Sequence, residues 1–123
     1  MAKVVFVGIE HALAVPIARA LAVERHQLEQ KSYSAVILDV LDADIVFAGG
    51  EAKNYLSLLR KVREARPTLP FVVVTRVPET REWLDALEAG ATDYCSAPFE
   101  NRQIHWLMES VLPKQRPVSI AAA

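Results

Sequence analysis

The feature that most constrains this chain is its rhythm: short β-rich runs alternate five times with longer segments of helical period. The runs are Lys3–Gly8, Leu28–Lys31, Asp44–Ala48, Phe71–Thr75 and Thr92–Ser96. Parallel strands cannot be joined by tight turns and need helical crossovers, so this alternation points to parallel βα units. KVVFVG and FVVVT are almost wholly apolar, as central strands covered on both faces must be. Leu28–Lys31 is short and polar, the character of an edge strand. Right-handed crossovers then wind the chain into a five-stranded parallel α/β sheet with helices on both faces, a three-layer sandwich.

The helical segments carry their own punctuation. Ala12–Arg25 places Leu13, Ile17 and Leu21 on one side, with Pro16 expected to distort its first turns. Ser34–Leu41 has the composition of a strand, but DIVFA begins three residues after Leu41. The interval therefore favours a short helix with Ala35, Leu38 and Leu41 facing inward. Glu51–Ala65 repeats apolar side chains at Tyr55, Leu58, Leu59 and Val62, and Arg66-Pro67 stops it. Thr80–Ala89 ends at Gly90. Asn101–Leu112 carries a core stripe of Ile104, Leu107, Met108 and Val111.

Composition sets outer limits. The 123 residues are 52% apolar and 24% charged, enough for one domain with a filled core and too few for two. That domain is expected over residues 1–113, and 114–123, with Pro117 and three final alanines, reads as a tail or linker stub. Fourteen basic against fifteen acidic residues give a net charge of −1. Such a balance argues against nucleic acid as a partner, because polyphosphate binding needs a basic stripe. The longest apolar runs fall far short of the roughly 20 residues of a membrane span. The short N-terminal apolar stretch, soon followed by His11, Arg19 and Glu24, does not resemble a signal peptide. A cytoplasmic domain is expected, with no membrane association.

Chemistry-bearing motifs are sparse. A single cysteine excludes an internal disulfide and a Cys-rich zinc site. No Gly-x-Ser-x-Gly elbow, Walker loop or dinucleotide fingerprint occurs, so the chain reads as a non-enzyme. Glu10 and His11 are two ligand types without a third. Asp39, Asp42 and Asp44 read as polar positions at the end of a short helix. Cys95 reads as a small buried hydrophobe with no cation to activate it. In doubly wound sheets, function gathers at the carboxyl ends of the strands. Here those ends are Gly8–Glu10, Gly49-Gly50, Thr75-Arg76 and Ser96–Pro98.

From Phe71 to Leu112 the sequence resembles the second half of response-regulator receiver domains. Thr75 closes the fourth strand, Ala89-Gly90-Ala91 ends the helix after it, and an aromatic, Tyr94, follows nineteen residues beyond Thr75. Pro98-Phe99 then opens the last helix. The first half agrees in length and order. The resemblance implies a flavodoxin-like (CheY-like) fold with strand order 2-1-3-4-5. It also implies a phosphotransfer site: two acids after the first strand holding Mg²⁺, an acceptor aspartate ending the third, a hydroxyl on the fourth and a lysine on the fifth. Carried over residue by residue, the acidic pair falls on Gly8 and Ile9, with Glu10 one place late. The acceptor falls on Gly49, and the lysine on Ala97. Only Thr75 and the switch aromatic Tyr94 are retained.

Glycine and isoleucine offer no hard oxygen to a magnesium ion, and glycine offers no carboxylate to carry an acyl phosphate. Loss of Mg²⁺ binding and of phosphorylation is the expectation, with no metal and no other cofactor. Asp39 is the alternative acceptor, since VILD resembles the family's motif. Gly49 lies 26 residues before Thr75 and Asp39 lies 36 before it, and spacing favours Gly49. The resemblance further implies a cis peptide before Pro98, and a protein partner or homodimer on the face of helix 4, strand 5 and helix 5. Trp83, Tyr94, Arg102 and Trp106 are the candidate contacts there, because the core stripe of the last helix turns Trp106 outward. The competing function is a small-ligand or anion sensor in the vacated site, hollowed by Gly8, Gly49, Gly50, Thr75 and Ala97.

Overall fold

The computed structural model describes residues 2–34 and 37–111. In chain order the elements are β1 (Lys3–Val7), α1 (His11–Ala22), β2 (Gln27–Lys31), α2 (Ile37–Leu41), β3 (Ile45–Ala48), α3 (Ala52–Ala65), β4 (Phe71–Thr75), α4 (Thr80–Glu88), β5 (Asp93–Ser96) and α5 (Asn101–Val111). All strand pairs are parallel, and the sheet order is β2-β1-β3-β4-β5. The expected architecture is therefore the one observed. The proposed tail over 114–123 and the inward Ala35 lie outside the described residues.

Side-chain alternation divides the core into two halves. Val4, Phe6, Ile45, Phe47, Val72 and Val74 point to the side covered by α1 and α5. Val5, Val7, Val46, Ala48, Phe71 and Val73 point to the side covered by α2, α3 and α4. The three central strands thus need apolar residues at every position, which is why they read as unbroken runs. Phe6 and Phe47 meet edge to face, with ring centroids 5.6 Å apart. The two edge strands, β2 and β5, are only partly covered.

One local expectation is corrected. Leu38 is 71% exposed. The inward side of α2 is formed by Ile37, Val40 and Leu41, which pack on the core. A helix of five residues takes its phase from whichever side chains reach the sheet, and Leu38, one residue (about 100°) beyond Ile37, is turned to solvent. Helix α1 runs unbroken across Pro16. Burial of Leu13, Ile17 and Leu21 holds it in place of the hydrogen bond that proline cannot donate.

At the end of the sheet opposite the strand carboxyl termini, Arg63 of α3 and Arg66, which caps that helix, tie the turns together. Arg63 donates to the carbonyls of Gly90 at 2.8 Å, Leu69 at 2.7 Å and Arg66 at 3.3 Å. Arg66 donates to the carbonyls of Leu41 at 2.7 Å and Ala43 at 2.8 Å. One helix end thereby holds three separate loops.

A second clasp joins Ala2, the turn between α1 and β2, and α5. The Ala2 N–H donates to His26 Nδ1 at 3.0 Å, so His26 Nε2 faces Glu24 as the donor at 3.2 Å. His105 Nδ1 bonds the other Glu24 oxygen, and His105 Nε2 lies 3.3 Å from Glu109. Burial alone would raise the Glu24 carboxyl, but its bonds to His26 and His105 outweigh it and hold the group below its ordinary range. A carboxyl depressed in the folded state contributes stability that is present above its unfolded value, about 4.3, and is lost as pH falls through the folded value. The urea midpoint of the unaltered chain should therefore fall more steeply between pH 6 and pH 3.5 than that of Glu24→Gln. Parallel pH profiles of the two proteins would show the clasp to be inert.

Candidate functional site

The carboxyl ends of β1, β3 and β4 open into a cleft of about 490 Å³. Gly8, Gly50, Val74 and Thr75 form its floor, and Glu10, Glu51, Arg76, Glu79 and Glu82 stand around it. Glu10, Glu51 and Glu79 are the N-cap residues of α1, α3 and α4, and none makes a side-chain capping bond. Three helix N-termini converge where a parallel sheet would ordinarily receive an anion. Here each terminus already has a carboxylate beside its positive end. The Glu10 carboxylate also accepts from Arg76 at 2.5 Å.

Gly49 follows β3 directly, and its N–H bonds the Val7 carbonyl at 3.0 Å. Asp39 lies within α2 rather than at a strand end, and its carboxylate faces Lys31 at 3.8 Å. Gly8 and Gly50 have φ of +64° and +87°, the left-handed region that favours glycine. Ala97 follows β5, and the Ala97–Pro98 bond is cis. The Thr75 hydroxyl donates to the Val77 carbonyl at 3.1 Å. Tyr94 is half-buried, its hydroxyl accepting from the Glu79 N–H at 3.4 Å and facing Glu82 at 3.5 Å.

The positions to which the resemblance assigns the acids carry no ligand for a magnesium ion. Gly8, Ile9 and Gly49 bring no side-chain oxygen, and Glu10 is engaged by Arg76. Among the described residues, no group of three or more His, Cys, Asp or Glu side chains is placed to hold a metal. Cys95 is half-buried, and burial, reinforced by Asp93, pushes its thiol up to about 12, which keeps it protonated and unreactive.

One residue of the site escaped sequence reasoning. Tyr33, just beyond β2, lays its ring against Gly8 and donates its hydroxyl to the Gly49 carbonyl at 2.6 Å. Burial raises that hydroxyl well above the ordinary tyrosine range. The available signal was indirect: volume vacated by large charged side chains has to be refilled, and an aromatic near a strand end is a natural filler.

Large apolar side chains stand exposed among polar ones on the helices that flank β5. Trp83 on α4 is 43% exposed and Trp106 on α5 is 65% exposed; Leu84 and Leu87 of α4 are also exposed. Arg102 is exposed on α5. Helices α4 and α5 lie on opposite sides of the sheet and flank β5, an edge strand. Among the described residues, no helix is long and apolar enough to cross a membrane.

No family model matches the chain. Protein PetR of Rhodobacter capsulatus is 32% identical over 114 residues, which cover 93% of this chain and 44% of PetR. Response regulator ArlR of Staphylococcus haemolyticus is 30% identical over 84 residues, covering 68% of this chain and 34% of ArlR. The chain thus spans less than half the length of these curated relatives. The receiver domain of NtrX from Brucella abortus aligns with a TM-score of 0.77 at 21% identity, over 89% of this chain and 98% of that one. Chemotaxis protein CheY4 of Vibrio cholerae gives 0.77 at 16% identity, over 91% and 99%. At such identities the solved structures speak for the fold, and the curated relatives speak for descent. Homologues and structural neighbours alike are response-regulator receiver domains, and the chain belongs to that CheY-like family of two-component signalling.

Proposed function

We propose that this chain is a degenerate receiver, a non-enzymatic cytoplasmic module that has given up phosphotransfer and signals by binding protein. The observation that carries the reading is the end of β3: a glycine stands there, and its carbonyl is occupied by the Tyr33 hydroxyl. An acyl phosphate needs a carboxylate at that place, and Gly49 has no side chain to carry one. Mg²⁺ binding is lost with the acids at Gly8 and Ile9, and Ala97 cannot supply the cation that lysine would. Incubation with Mg²⁺ and a small-molecule phosphodonor should leave the intact mass unchanged. A phosphate on any residue of the cleft would end this reading.

Binding is assigned to the face of α4, β5 and α5, with a protein partner or a second copy as occupant and neither nucleic acid nor membrane involved. Support comes from the exposed Trp83 and Trp106, since large aromatics left in water are favoured interface anchors. Trp106→Ala should weaken self-association or partner binding at least tenfold, roughly the effect of removing an interface anchor. Light scattering after gel filtration and a pull-down of partners would measure it, and unchanged association would remove this face from consideration. A small-ligand sensor is the second reading, favoured by the volume of the cleft. Its ring of glutamates weighs against anions, so the thermal-shift screen that tests it should include cations and neutral nucleosides beside nucleotides.

A further inference from the structure

At the head of the sheet the Tyr33 ring fills the space beside Gly8 and borders Gly50, while Ile9 and the Val74 carbonyl border Gly49. A β-carbon built on Gly8 would overlap the Tyr33 ring, and one on Gly50 would lie 3.9 Å from it. The Tyr33 hydroxyl satisfies the Gly49 carbonyl at 2.6 Å. On either side of it the Ser32 and Ser34 hydroxyls bond each other at 2.7 Å, fastening the segment that carries the ring. The Gly8 N–H bonds the Lys31 carbonyl at 3.1 Å, so the strand leading to Tyr33 is paired up to its last residue. Ring, hydroxyl and two left-handed glycines form one interlocked unit.

We infer that Tyr33 is an internal plug in the side-chain space of the vacated acid position, Gly8, and that its bond to the Gly49 carbonyl latches the β1–α1 and β3–α3 junctions in one arrangement. The inference rests on the reading that phosphotransfer has been lost. The plug and an acid at position 8 exclude each other sterically, so the glycine and the tyrosine are a coupled pair. The latch fixes the Gly8 and Gly50 turns from the side of β2, and the cleft lined by the same two glycines stays open on the other side.

Backbone hydrogen exchange and melting of the whole chain test this. In Tyr33→Ala, the amides of Gly8 and Gly49, which bond the Lys31 and Val7 carbonyls, should exchange at least tenfold faster, while those of Val72–Val74 keep their protection. Tyr33→Phe keeps the ring and removes only the latch to Gly49; it should accelerate the same amides about threefold, and it carries the test if the alanine variant fails to fold. Gly8→Ala should lower the melting temperature of the unaltered chain at least twice as much as it lowers that of Tyr33→Ala, because only the former has a ring to collide with. Unchanged exchange at those two amides, or an equal effect of Gly8→Ala in both backgrounds, overturns the plug. The phosphodonor experiment stands apart: phosphate on the unaltered chain would sink the loss of phosphotransfer, whereas the exchange pattern judges Tyr33 alone.

Discussion

Phe47→Ala is expected to destabilise the chain by about 4 kcal/mol, the ordinary cost of deleting a fully buried aromatic ring. Phe47 is inaccessible to solvent in β3, between β1 and β4, where its ring abuts Phe6 edge to face at 5.6 Å. Truncation removes the transfer energy of the ring, its contact with Phe6, and the packing of every neighbour that cannot collapse into the void. A domain of this size has roughly 5–15 kcal/mol of stability in all. The variant should therefore unfold at a much lower urea concentration with its slope unchanged. Phe47→Leu, which keeps most of the apolar volume, should recover more than half of the loss. A midpoint shift for alanine as small as that for leucine would mean that this half of the core repacks freely.

Arg63→Ala is expected to cost about 3 kcal/mol, because three backbone carbonyls lose a charged donor at once. Gly90, Leu69 and Arg66 lie in two separate connections, and a single guanidinium serves them all. Leu69 is wholly buried, so water cannot easily replace the bond to its carbonyl. Burial alone lowers the Arg63 pKa below its ordinary value; guanidinium remains charged throughout the working pH range. Arg63→Lys should recover at most one of the bonds, since an ammonium is a point donor and not a planar fork. At several degrees of melting temperature per kcal/mol, the alanine variant should melt roughly 10 °C or more below the unaltered chain. A lysine variant as stable as the original would show that charge alone suffices there.

Much of the fold was legible because parallel sheets leave a coarse trace. Strands covered on both faces must be apolar at each position, so KVVFV, IVFA and FVVVT announced themselves. The apolar spacing of α3 and α5 likewise matched the sides they bury, from Tyr55 to Val62 and from Ile104 to Met108. Leu38 went wrong because five residues are too few for periodicity to set a phase. Asp39 was ambiguous for the same reason: VILDV has strand composition, and only its placement in α2 separates it from a strand end. Arg63 and Arg66 looked like ordinary helix-surface cations, since nothing in their spacing reveals which carbonyls lie within reach.

By itself the order of residues determined the βα alternation, the two-sided apolar strands and the absence of charge at Gly8, Gly49 and Ala97. Each of these is written in residue type and local period. Tertiary structure alone decided what fills the place where the charges are missing, because Tyr33 comes from a different loop and reaches Gly49 across 16 residues of chain. It alone decided, too, that four glutamates would meet in one cleft. Side chains distant in sequence become neighbours only when the sheet registers its strands, and no local pattern encodes that meeting.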